Sequence, residues 1–410
     1  MEKGNEKRVG LADIFWSYFK VGLTAFGFAI LQKLKDLVKR KNWVSDRELN
    51  EGLALVQLYP GPIMVNLNTY IGYRLRGIPG ALASTVAFIT PTTLLMLILS
   101  YIYFSFGKMP WVRPVFTGLE ALVVGVLINV MLDFGKRAIK GKVEAVISLA
   151  AFAFLVGKLN IVLLVLFALL VGAVLIRPKG SDTTTPAKPA TSGSVTTSES
   201  VKSWKNWLGI GLALLVVLLG VFFSIRLSEC PSSDIGKSAL SFFKIGSIAF
   251  GNGLTILPLI QADVVENFQW LSLKQFADGI ALSQITPGPF LVISTFIGFK
   301  LGGPLAALLT TFAMFSPSFI LTLIFTELFT HVRNLDVVKG ALAGVLSAFM
   351  GLLSAMLLQL GAIISASPVA LVFSAAAFVS VRFFKLDILW IFGGGLLLWI
   401  LLYSVGIPIG

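Results

Sequence analysis

Residues 18–30 read YFKVGLTAFGFAI and residues 242–254 read FFKIGSIAFGNGL. The echo continues along the chain. Trp43 corresponds to Trp270, Gln57 to Gln284 and Pro60-Gly61-Pro62 to Pro287-Gly288-Pro289. Further on, Ile71-Gly72 corresponds to Ile297-Gly298, Pro79 to Pro304 and Pro91 to Pro317. The offset stays between 224 (Tyr18 to Phe242) and 227 (Pro60 to Pro287). A duplicated unit forces two similar halves on the fold. In an apolar chain this is a common plan for membrane transporters, with the substrate site between the copies.

The chain is apolar enough for that plan. Of its 410 residues 56% are hydrophobic and 13% charged, against about 25% charged in ordinary soluble domains. Several runs of 18 or more residues carry almost no charge, the length needed to cross a lipid bilayer. The net charge of +13 fits the Lys and Arg enrichment of cytoplasmic loops. No nucleic acid is expected as a partner, because no basic stripe with interleaved aromatics lies outside the loops. Cys230 and His331 are the only cysteine and histidine. No internal disulfide, no His/Cys metal site and no cofactor are expected. The first apolar stretch carries Asp13 and Lys20 without a small-residue cleavage site after it, so it does not read as a cleavable signal.

Residues 180–203 are rich in Ser, Thr and Pro and read as a flexible linker. The division is a first repeat over 1–179, the linker over 180–205, a connecting transmembrane helix over 206–235 and a second repeat over 236–410. In the first repeat the apolar stretches 10–32 and 49–76 are interrupted at Phe26-Gly27 and at Pro60–Pro62. Proline removes a backbone donor and clashes with the preceding turn, so no single helix passes Tyr59–Pro62. Each remaining piece is too short to cross alone, which leaves re-entrant hairpins or broken crossings. Four runs follow: 78–105, 111–134, 143–157 and 160–176. After the single run 206–225, the second repeat has interrupted stretches 238–258 and 275–300, then runs 304–330, 337–364, 367–381 and 386–405.

The loop read over 31–50 holds six basic residues, from Lys33 to Arg47. Its counterpart over 258–277 holds Lys274 against Asp263 and Glu266. Equivalent loops of opposite character place the two copies in opposite orientations, with the odd crossing at 206–225 supplying the inversion. Re-entrant segments with a cytoplasmic N-terminus and linker satisfy the positive-inside pattern. The expected fold is all-α: a multi-pass protein of the cell membrane, with two inverted-topology repeats whose broken or re-entrant helices meet near the midplane.

Three duplicated features bear on chemistry. Lys20 (with Gly22 and Gly27) and Lys244 (with Gly246 and Gly251) place a cation inside an apolar segment. That is costly, and points to a cavity or an anion. Snorkelling, or pairing with a carboxylate such as Asp13 or Asp278, is the alternative. The breaks at Pro60, Gly61, Pro62 and at Pro287, Gly288, Pro289 restart helices whose free N–H groups suit an anion. A purely structural kink is the alternative, though it leaves Gln57 and Gln284 unexplained. Asn66, Asn68, Thr69, Asn252, Thr286, Ser294 and Thr295 lie near the breaks, as hydrogen-bond donors or as helix-packing residues. Glu120 reads as a helix-end residue facing water, with pairing to Lys20 or carriage of a proton as alternatives. No nucleophile triad, phosphate loop or metal spacing is present, so an enzyme is not expected.

The pattern FFKIGSIAFGNG, then W-x13-Q, then PGP-x8-G, in order and in both halves, resembles the chromate ion transporter family in its long, two-domain form. The resemblance implies a membrane transporter for chromate, and for its tetrahedral mimic sulfate, associated in bacteria with export and resistance. It also implies halves of opposite orientation. Phe28-Ala29 against Asn252-Gly253, and Tyr59 against Thr286, make the half-sites chemically unequal. The alternatives are a transporter of another anion, such as a carboxylate, or a membrane-embedded enzyme or scaffold. A coupling proton or cation and a homodimer both remain open.

Overall fold

The computed structural model describes residues 9–27, 29–107, 109, 112–157, 161–176, 234–251, 253–332 and 336–405. The expected linker at 180–205, the run 206–225 and Asn252 lie outside them. Among the described residues the first half holds α1 (Leu11–Thr24), α2 (Ala29–Lys41), α3 (Asp46–Leu55), α4 (Ile63–Phe106), α5 (Arg113–Ala138), α6 (Lys142–Val156) and α7 (Ile161–Leu175). The second holds α8 (Asp234–Ile248), the short α9 (Leu257–Gln261), α10 (Leu273–Ile285), α11 (Ile293–Val332), α12 (Asp336–Ile364), α13 (Pro368–Arg382) and α14 (Ile388–Ser404). Two two-residue strands, β1 (Gly61–Pro62) and β2 (Phe250–Gly251), and short 3-10 or π-helical pieces at Leu254–Ile256, Ala262–Asn267 and Phe290–Val292 complete the described elements.

Each interrupted stretch is a hairpin that returns to the end it started from. Lys41 near the end of α2 pairs with Asp13 near the start of α1 at 2.8 Å, and Tyr18 packs on Trp43. Ser45 caps α3 through a capping box with Glu48, a local signal that a helix begins there. Glu48 also takes an ion pair from Arg74 at 2.9 Å, while Tyr70 covers Gly52. The second half repeats this. Ser241 donates to Asp263 at 2.5 Å, Ser272 caps α10 in the same way, and Phe296 covers Gly279.

One expectation needs correction. The basic segment read as a loop over 31–50 is largely the helix α2. Its apolar side (Ile30, Leu34, Leu37, Val38) is buried while the cluster Lys39–Lys41 closes its last turn. The alternation of Lys with Leu is amphipathic helix periodicity, hidden by the high charge.

The long helices α4 and α11 also fold back on themselves. Non-helical backbone falls at Arg76-Gly77 (Gly77 φ +62°) and at Gly302-Gly303 (Gly303 φ +68°). The two arms of each close through paired hydroxyls, Thr69 with Thr85 at 2.7 Å and Thr295 with Thr311 at 2.6 Å. These equivalences fix the offset here at 226. Pro79 and Pro304 therefore stand one position out of register, and Gly77 with Gly303 is the true correspondence.

The two halves meet along these helices. Tyr73 donates to Glu327 at 2.5 Å at one end, and Phe104 stacks on Phe296 at the other. Elsewhere small residues allow close approach: Gly172 against Gly340 and Gly344, Gly351 against Ser148, Gly125 against Ser374. This is how helices associate where lipid removes the hydrophobic drive. Among the described residues four segments are long and apolar enough to cross a bilayer: Ile63–Phe106, Arg113–Ala138, Phe290–Glu327 and Lys339–Ile364. Large apolar side chains such as Leu305 and Trp390 stand exposed on the outside, as lipid contact allows. The molecule is an all-α, polytopic membrane protein.

Candidate functional site

The fold brings all four breaks into one cluster, and pairs them crosswise. β1 and β2 pair in parallel, with Gly61 opposite Phe250 and Pro62 opposite Gly251. The Gly61 N–H donates to the Ala249 carbonyl. At the other corner the Gly288 N–H donates to the Ala25 carbonyl at 2.8 Å. Each proline corner is thus bonded to the Phe-Gly break of the opposite half. Phe290 joins the two pairs: its ring lies about a carbon contact from the Cβ position of Gly27, and its Cβ 3.7 Å from that of Gly253.

Positive φ at Gly61 (+131°) and Gly288 (+98°) makes glycine the fitting residue at both corners. Each is crowded as well. A Cβ on Gly61 would meet the side chains of Asn66 and Ser318, and one on Gly288 would meet Thr92 Oγ1. Thr92 and Ser318 follow the helix prolines Pro91 and Pro317. They hold the corners from opposite halves: Thr92 donates to the Pro287 carbonyl at 2.6 Å, and Ser318 donates to Asn66 Oδ1. Sequence reading missed this pair, although each is a hydroxyl residue directly after a duplicated proline.

The crosswise bonds change the expected donor set. The Gly61 and Gly288 amides are already used, and Pro60, Pro62, Pro287 and Pro289 have none. The donors left at the corners are those of the first helical turns after Pro62 and Pro289, where no side chain caps the helix. Buried side-chain amides add to them. Asn66 is fully buried, and its Nδ2 has no partner. Gln284 is fully buried with neither its Nε2 nor its Oε1 paired. An unsatisfied buried amide is costly, so both are groups in want of a polar ligand. The Thr286 hydroxyl donates instead to the Ser283 carbonyl at 3.0 Å.

The half-sites are unequal in access. Gln284, Thr286 and Pro287–Pro289 are buried, whereas Gln57 is exposed and Pro60 half-buried. Gly27 is buried and Gly251 half-buried. Lys20 and Lys244 stand on exposed faces of α1 and α8, and neither joins an ion pair among the described residues. Pairing of these lysines with Asp13 or Asp278 is not observed: Asp13 takes Lys41 and Asp278 takes the Tyr103 hydroxyl at 2.6 Å. Lys20 belongs to a stripe along α1, Asp13-Ser17-Lys20-Thr24, whose i, i+4, i+7, i+11 spacing is one helix face. It leads to the break at Ala25. Glu120 does not face water as read from the sequence. It is 2% exposed, and its cation is Lys274, at 3.8 Å.

The Thr92 contact gives a stability test. Thr92→Val removes the donor from a buried carbonyl, an expected loss of about 1–3 kcal/mol. Thermal denaturation in detergent should show a clearly lower Tm. An unchanged Tm would mean that this cross-half bond does not constrain the corner.

Interrupted helices, gathered by two similar halves in the middle of a polytopic bundle, define a membrane transporter. The chain belongs to the chromate transporter family: the family model "Chromate transporter" matches residues 12–173 and 236–400. It is 29% identical to a chromate transport protein of Cupriavidus metallidurans, over 96% of this chain and 94% of the relative. It is also 29% identical to an uncharacterized transporter of Methanocaldococcus jannaschii, over 92% and 91%. An uncharacterized transporter of Bacillus subtilis is 25% identical over 40% of this chain and 96% of its own length. No solved structure matches.

Proposed function

We propose that the chain moves chromate, and its mimic sulfate, out of the cell across the plasma membrane by alternating access at one site between two inverted repeats. The repeats are residues 1–179 and 236–410, joined by the polar linker 180–205 and a connecting helix within 206–235, with the N-terminus and linker in the cytoplasm. The observation that carries this reading is the crosswise bonding of the breaks, Gly61 to Ala249 and Gly288 to Ala25. It commits residues of both halves to a single central cluster. Inversion is supported by where the hairpins open. Those of the first half open beside Tyr73 and Glu327, at the Glu48–Arg74 end. Those of the second open at the far end of α4, where Tyr103 reaches Asp278. Names of the full-length relatives support the substrate class.

In this reading the dianion sits against the helix starts after Pro62 and Pro289, where the dipole and free N–H groups favour negative charge. Gln284 and Asn66 supply further hydrogen bonds. Lys20 and Lys244, on the exposed faces of the hairpins, draw the anion inward rather than ligate it. The buried second corner beside a more open first one is the asymmetry expected of a transporter open to one side. Export is electrically downhill by about 2.3 kcal/mol per charge per 100 mV. Flux of chromate and of sulfate into liposomes containing this chain alone tests the reading, with carboxylates as competitors. Lys20→Ala and Lys244→Ala should each slow flux at least about tenfold, the scale of electrostatic steering, and more so at low salt. Normal flux in both variants would remove the lysines from the mechanism. Preference for a carboxylate would replace the substrate class.

A further inference from the structure

Away from the breaks, the two halves place two carboxyl groups against each other. Glu120 lies on α5 of the first half and Asp278 on α10 of the second, and they are 2% and 3% exposed. Their side chains meet where α5 packs on α10. Each keeps one buried oxygen without a donor, Oε1 of Glu120 and Oδ1 of Asp278. The remaining Asp278 oxygen accepts from Tyr103 at 2.6 Å. Lys274 stands 3.8 Å from Glu120, beyond hydrogen-bond reach, and is itself 41% exposed. Asp278 lines a cavity of about 410 Å³ with Tyr103, Arg113, Phe116, Ser272, Lys274 and Gln275, which gives the pair a polar route outward.

Two carboxylates cannot both stay ionised in contact and out of water. A single proton held between them supplies the missing donor and removes the repulsion at once. The groups acting on the pair are Tyr103 on α4, Arg113 on α5 and Lys274 on α10. Among the described residues, α12 and α14, which also pack against α10, bring no titratable group to it. Asp278 is six residues before Gln284 on the same helix, about 9 Å along its axis, and Asp278 and Glu120 belong to opposite halves.

We propose that Glu120 and Asp278 form a proton site at the interface of the halves, and that the proton travels in the same direction as the anion. The proposal rests on the anion-transport reading. Its direction follows from charge: removing a negative charge near the corner at Pro287–Pro289 favours a dianion there, and a bound dianion favours the proton by the same factor. The pair straddles the surface along which the halves must move, so its occupancy is coupled to that motion. One proton per dianion leaves one net negative charge, so export stays electrically downhill.

The test uses sulfate, which does not itself protonate near neutral pH. Labelled sulfate and lumenal pH are followed together in liposomes containing the full chain, with the membrane potential clamped. Wild type should acidify the lumen by about one proton per sulfate entering. Under a pH gradient, sulfate accumulation should change about tenfold per pH unit, as one coupled proton requires. In Glu120→Gln and Asp278→Asn the proton-to-sulfate ratio should fall to zero. Wild-type sulfate movement with no proton movement overturns the proposal and leaves the anion reading standing. Proton movement persisting in both variants overturns the assignment to this pair. Failure of wild type to move chromate or sulfate overturns both readings. Should either variant unfold, sulfate affinity of the wild-type protein against pH gives a second readout. A decline approaching tenfold per pH unit above the titration of the pair supports the site, and a flat profile overturns it.

Discussion

Gly288→Ala is expected to abolish oxyanion flux and to lower the melting temperature sharply. The new Cβ would stand 1.9 Å from Thr92 Oγ1 and 3.1 Å from Thr92 Cβ, a short, stiff side chain that cannot swing aside. The backbone is at φ +98°, a region that costs an L-residue about 1–3 kcal/mol, and overpacking adds a similar amount. The strain falls where α10 ends, the Gly288 N–H meets Ala25, and Thr92 holds Pro287. Relief of any of these parts the two halves at the site. Adding Thr92→Ala should relieve the clash with Oγ1 and restore none of the backbone share, while adding the cost of the lost bond to the Pro287 carbonyl. Gly394→Ala is the control: nothing lies within 4 Å of its Cβ position, and within a helix alanine is favoured over glycine by about 1 kcal/mol. Equal effects at 288 and 394 would mean that the corner is not under constraint.

Gln284→Leu separates binding from folding. A buried amide without partners is a cost to the ligand-free protein, and its apolar replacement is nearly neutral or stabilising, within about 1–3 kcal/mol. If Gln284 serves the anion, the variant keeps or raises its Tm and loses transport by tenfold or more, since each 1.4 kcal/mol of lost interaction is a factor of about ten. A drop in Tm with normal flux would return Gln284 to a structural role. Gln57→Leu, on the exposed side, should have the smaller effect on both measurements.

Much of this fold was legible because its interruptions are written in glycine and proline. The run boundaries at 78, 304 and 367 and the interruption of 49–76 depend on local rules, and the structure keeps them within a few residues; that 49–76 is a hairpin and not a broken crossing comes from the structure alone. The charged helix α2 was lost to the same reasoning, because Lys and Arg masked a buried Ile-Leu-Leu-Val face. The proline pair at 79 and 304 was misregistered by one, since proline is tolerated at either place in the first turn after the Gly77 and Gly303 corners. The site was half legible. Which residues break each helix is a local property. Which break meets which is not, and a reading by repeats brings the two proline corners to each other. The fold instead gives each corner the Phe-Gly break of the opposite half, spending the two glycine amides that the sequence assigns to the anion. Glu120 and Asp278 were each visible, but their meeting joins positions 158 residues apart on helices of different halves, and no spacing rule reaches that far.

Calorimetric titration of the purified chain with chromate decides whether the four breaks make one pocket. One dianion per chain is expected, with binding abolished alike by Asn66→Leu in the first half and Gln284→Leu in the second. Two independent sites per chain, or full binding surviving either substitution, would contradict a pocket built jointly by both halves.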